Sequence, residues 1–448
     1  MYPYIPNTEE DKKEMLEVVG LQSEEQLFDV IPENLRLRDG LDLPDAKSEL
    51  EVSAHLQNLA DKNVTVNQMP CFLGGGAYDR YIPSIIGHIL GRQEFYTSYT
   101  PYQPEVSQGT TQYIFEYQSL ISRLTGMEIS NASLYDCGTA VMEASIMTSN
   151  VAKKKKVIVS ESVDPQYREV LDTYAHMRGI EVVVAPMKDM ATDFDALKEL
   201  VDDKTASVVV QSPNYYGYYE EVEKVVELTH SFKKCYTIMA TDPISLAISK
   251  KPGDYGVDVC VAEGQSLGLP LAFGGPYLGI FACTKDFLRK MPGRIVGQTE
   301  DLDGKRSWVL TLSAREQHIR RDKATSNICS NQGVNTLATA VYMATMGKQG
   351  MKEVALQSTA KAHYMYDELL KLDGVEAFTD RPFFDEFTIK TSVDAQTIND
   401  RLYENGIIGG INIEKFNNEL GHGMIIAVTE KRKKSEIDKF VEVVKEAF

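Results

Sequence analysis

Tyr99, Tyr102, Gln103, Glu105 and Gln108 crowd into one short stretch that also holds Pro101 and Pro104. Proline fixes φ and offers no N–H, so neither a regular helix nor a central strand runs through it. A stiff loop displaying phenol hydroxyls, amides and a carboxylate suits the wall of a binding site; a buried interdomain loop fits the same residues. A second stretch, Asn131-Ala132-Ser133-Leu134-Tyr135-Asp136-Cys137-Gly138-Thr139-Ala140, precedes a helix expected to begin near Val141. Free N–H groups and the positive dipole end at such a helix start suit an anion such as phosphate. An ordinary N-cap by Ser133, Asp136 or Thr139 accounts for the pattern equally. The third stretch runs from Arg315 to Cys329. Arg320, Arg321 and Lys323 could meet an anionic group there, while Thr325 and Ser326 could bond phosphate oxygens. A solvated helix end followed by a cap is the alternative, and His318 is a candidate general base.

Asp242 follows the β-branched run Tyr236–Thr241. In an open α/β sheet, ligands bind beyond the carboxyl ends of the strands. A carboxylate at that place could hold the protonated ring nitrogen of pyridoxal phosphate, whose electron-sink chemistry depends on that charge; a strand-end cap is the plainer role. Enzymes of the aspartate-aminotransferase fold that use this cofactor carry its aldehyde on a lysine a few strands later. The matching loop, Asp258 to Pro270, contains no lysine. Gln265 stands where that amine belongs, 23 residues beyond Asp242, and an amide cannot take its part. Gly74-Gly75-Gly76 lacks both a preceding apolar strand and the Gly-x-Gly-x-x-Gly spacing of a dinucleotide loop, which leaves a tight turn or close backbone approach.

The elements that must position these residues are legible in outline. Residues 1–62 are polar, with helical periodicity over Glu9–Val19 and Ala46–Lys62, and are expected to form a helical arm. Apolar runs at Lys156–Ser160, Ile180–Ala185, Ala206–Gln211, Tyr236–Thr241, Val257–Ala262 and Leu278–Ala282 alternate with amphipathic stretches. That alternation predicts a mostly parallel sheet covered by helices, in a large α/β domain over 63–335. A long helix after Asn335, running to about Leu372, then leads into a small C-terminal α+β domain completing residues 336–448. The formal charge of −18 argues against broad nucleic-acid or anionic-membrane binding. No apolar run is long enough to cross a bilayer, and no secretory signal opens the chain. Six scattered cysteines and seven histidines without metal-ligand spacing point to no metal site and to a reducing cytoplasm.

The strings Tyr99–Gly109, Asn131–Leu134 with Gly138-Thr139-Ala140, and Lys323-Ala324-Thr325-Ser326-Asn327-Ile328-Cys329 closely resemble the glycine cleavage system P-protein family, most narrowly the first subunit of its split bacterial form. Cys137 departs from the acidic residue often found at that place in the family. The resemblance implies an aspartate-aminotransferase-like (fold type I) architecture. It also implies a part in glycine dehydrogenase (aminomethyl-transferring) activity, not expressed by this chain alone. Glycine would lose carbon dioxide through pyridoxal phosphate held covalently by a second subunit, in an α2β2 assembly. The aminomethyl group would pass to the lipoyl arm of H protein, with the T and L proteins acting downstream. On this reading Tyr99, Tyr102, Gln103, Glu105 and Gln108 line the partner's pocket, and Thr325, Ser326 and Asn327 sit near the cofactor. Asp136, Gly138, Thr139 and Asp242 belong to a vestigial pocket of this chain's own. Two rival readings remain open: an autonomous pyridoxal-phosphate enzyme using another lysine, and a purely structural scaffold subunit.

Overall fold

The computed structural model describes residues 4–37 and 40–448. It divides into two units, Met1–Val64 and Thr65–Phe448. In the first, helices Glu9–Val19 and Glu49–Ala60 each open on a capping box, Thr8 with Asp11 and Ser48 with Glu51. Each box satisfies helix-start N–H groups locally. No described residue of this unit is buried, so local capping rather than a core defines its helices.

The second unit is built on a seven-stranded sheet: β1 (Ile129–Ser130), β2 (Lys156–Ser160), β3 (Glu181–Ala185), β4 (Thr205–Gln211), β5 (Tyr236–Thr241), β6 (Val259–Glu263) and β7 (Gly279–Cys283). The spatial order is β1-β7-β6-β5-β4-β2-β3. Strands β3, β2, β4, β5 and β6 run parallel, whereas β7 and β1 pair antiparallel at the far edge. Their near-continuous Val, Ile and Ala runs are what a sheet covered on both faces requires. The helix Cys137–Ala152 lies on one face, with Val141, Ala144 and Met147 in the same core as Val157, Val159 and Ile238. On the other face Tyr117, Ile121 and Tyr342 pack with Cys260 and Ile280.

A hairpin of Ile295–Glu300 with Arg306–Thr311 stands beside the helix Gln108–Thr125; Trp308 from the hairpin stacks on Phe115 of that helix, ring centroids 4.7 Å apart. The expected long helix spans Gly333–Leu369, but it is broken at Gly347, whose φ of 58° is outside the helical region. Beyond it, Val375–Ala377, Glu386–Thr391, Gly423–Ala427 and Ile411–Asn412 form a four-stranded antiparallel sheet, in that spatial order. Helices Ala395–Glu404 and Lys434–Lys445 cover it through Ile398, Leu402, Ile437 and Phe440. Among the described residues no helix is long and apolar enough to cross a membrane.

Candidate functional site

The carboxyl ends of β5 and β6 converge on a small chamber of about 30 Å³, lined by Tyr78, Tyr167, Asp242, Glu263, Asp385 and Glu386 among others. Asp242 caps the turn after its strand, its Oδ1 accepting from the N–H groups of Ile244 (2.7 Å) and Ser245 (2.9 Å). Its Oδ2 faces the buried Arg80 guanidinium at 3.8 Å. Gln265 is buried and fully bonded: its amide oxygen accepts from Tyr78 N–H at 2.8 Å, and its Nε2 donates to the carbonyls of Tyr78 (3.0 Å) and Leu269 (2.8 Å). Gln265 therefore clamps the segment that carries Tyr78 into the chamber lining.

The helix expected near Val141 opens four residues earlier, at Cys137, because Asp136 is its N-cap. Asp136 Oδ1 accepts from Thr139 N–H at 2.8 Å, and Thr139 Oγ1 accepts from Asp136 N–H at 3.1 Å. Glu263 takes the Cys137 N–H at 3.1 Å on one oxygen; the other accepts from Gln265 and Leu278, each at 3.1 Å. Gly138 leaves room for the Tyr167 ring, 3.4 Å from where a Cβ would lie. Of the four residues Asp136, Gly138, Thr139 and Asp242, only Asp242 lines the chamber, with Cys137 from the helix start; this chain's own carboxylates, Glu263 and Asp136, take the helix-start donors that a phosphate would use.

Burial pushes the carboxyls of Glu263 and Glu386 up to about 8, and that of Asp385 to about 7 against the opposing pull of Arg80. Arg80 bonds Asp385, and Glu430 at 3.0 Å. Burial works against its guanidinium charge, but the surrounding carboxylates more than offset this and hold it protonated. Pyridoxal phosphate does not fit here. Ligand pockets enclose hundreds of Å³, the chamber lining is acidic, and no lysine lines it. Glu386 also accepts from Gly75 N–H at 2.7 Å and from the Tyr78 hydroxyl at 2.9 Å. The triple-glycine turn is therefore a close approach to the C-terminal sheet; a Cβ on Gly74 would lie 1.9 Å from Glu386 Oε1.

The tyrosine loop faces the other way. Tyr99 is 79% exposed and Tyr102 47%; Gln103 and Glu105 are exposed as well, and none of these last two side chains has a partner among the described residues. The loop is fixed against the Thr325–Cys329 segment and its neighbour: Tyr102 Oη and Cys329 Sγ are hydrogen-bonded at 2.9 Å, Thr100 Oγ1 and Ser330 Oγ at 3.0 Å. The Arg294 guanidinium lies 4.9 Å from the Tyr102 ring centre, and His318 meets that ring edge-on. Two stretches 200 residues and more apart in sequence thereby form one surface. Gln108 turns inward instead, holding the hairpin through Trp308 N–H and C=O, each at 2.8 Å. Ser326 is also turned in, donating to Glu143 at 2.5 Å; burial lifts that carboxyl to about 7. Thr325 is half-buried, and Asn327 is exposed.

A model of the family described as glycine cleavage system P-protein matches residues 2–444. The chain belongs to the glycine cleavage system P-protein family. It is 51% identical, with 98% of both chains covered, to the probable glycine dehydrogenase (decarboxylating) subunit 1 of Carboxydothermus hydrogenoformans. It is 48% identical, over the same shares, to the protein of that name from Moorella thermoacetica. A crystal structure of glycine decarboxylase (P-protein) of the glycine cleavage system, in inhibitor-bound form, superposes with a TM-score of 0.90 at 39% identity, covering 99% of this chain and 100% of that one. Lactobacillus brevis glutamate decarboxylase, at 15% identity and TM-score 0.71 over 94% of this chain and 97% of its own, shares the fold. The fold is thus the aspartate-aminotransferase-like, type I fold.

Sequence reasoning missed the ion network of this P-protein-family chain. Arg80 joins Asp242, Asp385 and Glu430, while Asp79 is paired with Lys431 and with Arg432 at 2.7 Å. The signal available was two adjacent charged residues, Asp79 and Arg80, shortly after the Gly74-Gly75-Gly76 turn. Nor did spacing reveal Asp394, Glu414 and His422, whose ligand atoms lie within 4.8 Å of one another. His422 already pairs with Glu414 at 2.9 Å, and Asp394 accepts from Asn412 at 3.3 Å.

Proposed function

We propose that this chain is the lysine-less first subunit of a two-chain glycine decarboxylase, working in the cytoplasm. With the second subunit it removes carbon dioxide from glycine and passes the aminomethyl group to the lipoyl disulfide of H protein. The electron pair of the broken C–C bond forms a C–S bond, the S–S bond breaks, and the released sulfur takes a proton. Pyridoxal phosphate, the electron sink for such a decarboxylation, is assigned to the second subunit. One observation carries the reading: in a chain that the family model matches over residues 2–444, the residue in the amine's place is a buried glutamine whose three side-chain bonds go to Tyr78 and Leu269.

On this proposal the exposed Tyr99, Tyr102, Gln103 and Glu105, with Thr325 and Asn327, complete the partner's pocket. The phenols would orient glycine and exclude water, so their work is positioning. Gln108 and Ser326 act from behind, holding the hairpin and the Thr325–Cys329 segment in place. The assembly would be α2β2, with the T and L proteins acting downstream.

Co-expression with the candidate second subunit tests this. Exchange of labelled bicarbonate into the glycine carboxyl is assayed with H protein for each chain alone and for the mixture. Activity confined to the mixture is expected. Full activity of the second subunit alone, or a borohydride-sensitive cofactor absorbance in this chain alone, would overturn the proposal.

A further inference from the structure

Behind the Thr325–Cys329 segment lies an open basin of about 290 Å³ lined by Arg289, Lys290, Leu312, Ala314, Arg315, Arg320, Lys323 and Thr325. Five of these residues are cationic and none is acidic, in a chain whose formal charge is −18. Asp322 is exposed nearby in sequence but is not part of the lining.

The cations divide into two kinds. Arg315 is buried and builds the floor, donating to the carbonyls of Met291, Gly293 (3.0 Å) and Leu312 (3.1 Å). Arg320 is anchored by its Nε to the Ala314 carbonyl at 3.1 Å, which leaves its terminal nitrogens over the basin. Arg289, Lys290 and Lys323 are exposed, and among the described residues their side chains have no hydrogen bond or ion pair. Glu316, the acid closest in sequence to the floor, is buried and committed to Arg294 at 3.3 Å.

We propose that this basin docks a carboxylate-rich face of the carrier protein that delivers the disulfide arm; this rests on the function proposed above. Two features favour a transient acidic protein over the permanent second subunit. Stable subunit interfaces are apolar at their centre and poor in charge, whereas unpaired, solvated cations steer short-lived encounters and raise their rate. The basin also shares Thr325 with the segment assigned to the mouth of the partner's pocket. A carrier held there has its arm beside the place where the arm must enter.

The test uses the assembled two-subunit enzyme carrying Arg289→Gln, Lys290→Gln and Lys323→Gln together; Arg320 and Arg315 are kept because they hold backbone. Binding of H protein is followed by surface plasmon resonance at low and high salt. Glycine–bicarbonate exchange is measured with H protein and, separately, with free lipoamide, which needs no docking. At low salt the triple variant is expected to bind H protein at least about tenfold more weakly. The gap should close at about 1 M salt, where the screening length is about 3 Å. KM for H protein should rise with kcat kept, and lipoamide kinetics should not change. Equal affinity and equal salt dependence in variant and wild type would overturn the proposal. So would competition by millimolar inorganic phosphate that the triple substitution abolishes, since that assigns the basin to a small oxyanion. Absence of exchange with either acceptor would refute the decarboxylase reading instead, and the binding measurement would still decide the basin.

Discussion

Around Gln265, polar side chains are buried, bonded and mostly acidic; around Tyr102 they are exposed and several lack partners. The two regions put the same residue types to opposite uses. In the chamber, Glu263, Asp385 and Glu386 hold backbone, tyrosine and arginine, and the residual space is about 30 Å³. On the outer surface, Thr100 and Tyr102 are fixed from below while Tyr99, Gln103 and Glu105 project. A region whose bonds are mostly made internally contributes stability. One held rigid with bonds left to make is prepared for something outside the chain.

The contrast breaks most forcefully at Arg80. Arg80→Met leaves Asp242, Asp385 and Glu430 without their shared cation. Removing one partner from a buried ion network costs about 3–5 kcal/mol, read as a lower urea midpoint; a loss under about 1 kcal/mol would show that the chamber does not depend on that charge. Next comes pH. Glu386 and Glu263 have folded-state pKa values raised to about 8 by burial, so the native state holds protons that the unfolded chain releases near pH 4–5. Their contribution is complete below the unfolded pKa and is lost as pH rises toward about 8. Glu386→Gln is expected to flatten this decline, leaving a chain more stable than wild type by about 2–3 kcal/mol at pH 9 and little changed at pH 4. Thermal melts from pH 4 to 9 check it, and parallel curves for the two proteins would refute it.

Gln265→Lys sharpens the comparison from the chemical side. It removes three bonds to Tyr78 and Leu269 and should cost about 2 kcal/mol. Added pyridoxal phosphate should give no borohydride-trapped adduct at position 265 by peptide mapping; a trapped adduct there would mean that the chamber opens. Tyr99→Phe has the smallest effect on the chain itself, within about 0.5 kcal/mol in denaturation, because the side chain is 79% exposed. In the assembled enzyme, exchange activity should still fall about tenfold, near 1.4 kcal/mol of barrier. Unchanged exchange would remove Tyr99 from the pocket wall.

How much was legible in the sequence follows from the range of each interaction. Strands at Lys156–Ser160 and Tyr236–Thr241 coincide with the apolar runs because burial on both faces leaves only β-branched and small apolar residues there. The helix Gln108–Thr125 is not foreseen from the sequence although Ile114, Tyr117 and Ile121 mark its buried face, since the prolines before it favour a loop. The hairpin Ile295–Thr311 escaped because much of its length is exposed and polar. That the Asp258–Pro270 loop holds Gln265 and no lysine is read from the sequence alone. The bonds around the chamber were invisible, for Tyr78 meets Glu386 across 308 residues and Arg80 meets Asp385 across 305. No local pattern encodes such pairs. Whether Gln108 and Ser326 turned in or out was equally undecided, because it depends on Trp308 and Glu143.

The close approach of Gly74 to Glu386 has an evolutionary consequence. A side chain at Gly74 collides with Glu386, Glu386 is tied to Gly75 and Tyr78, and Tyr78 is tied to Gln265. Placing a lysine at position 265 would therefore strain the fold before any catalytic benefit arose. Several linked changes would have to occur together. On the function proposed above, dependence on a second subunit would work as a ratchet: with the chamber filled by this chain's own carboxylates, no gradual path leads to a private site.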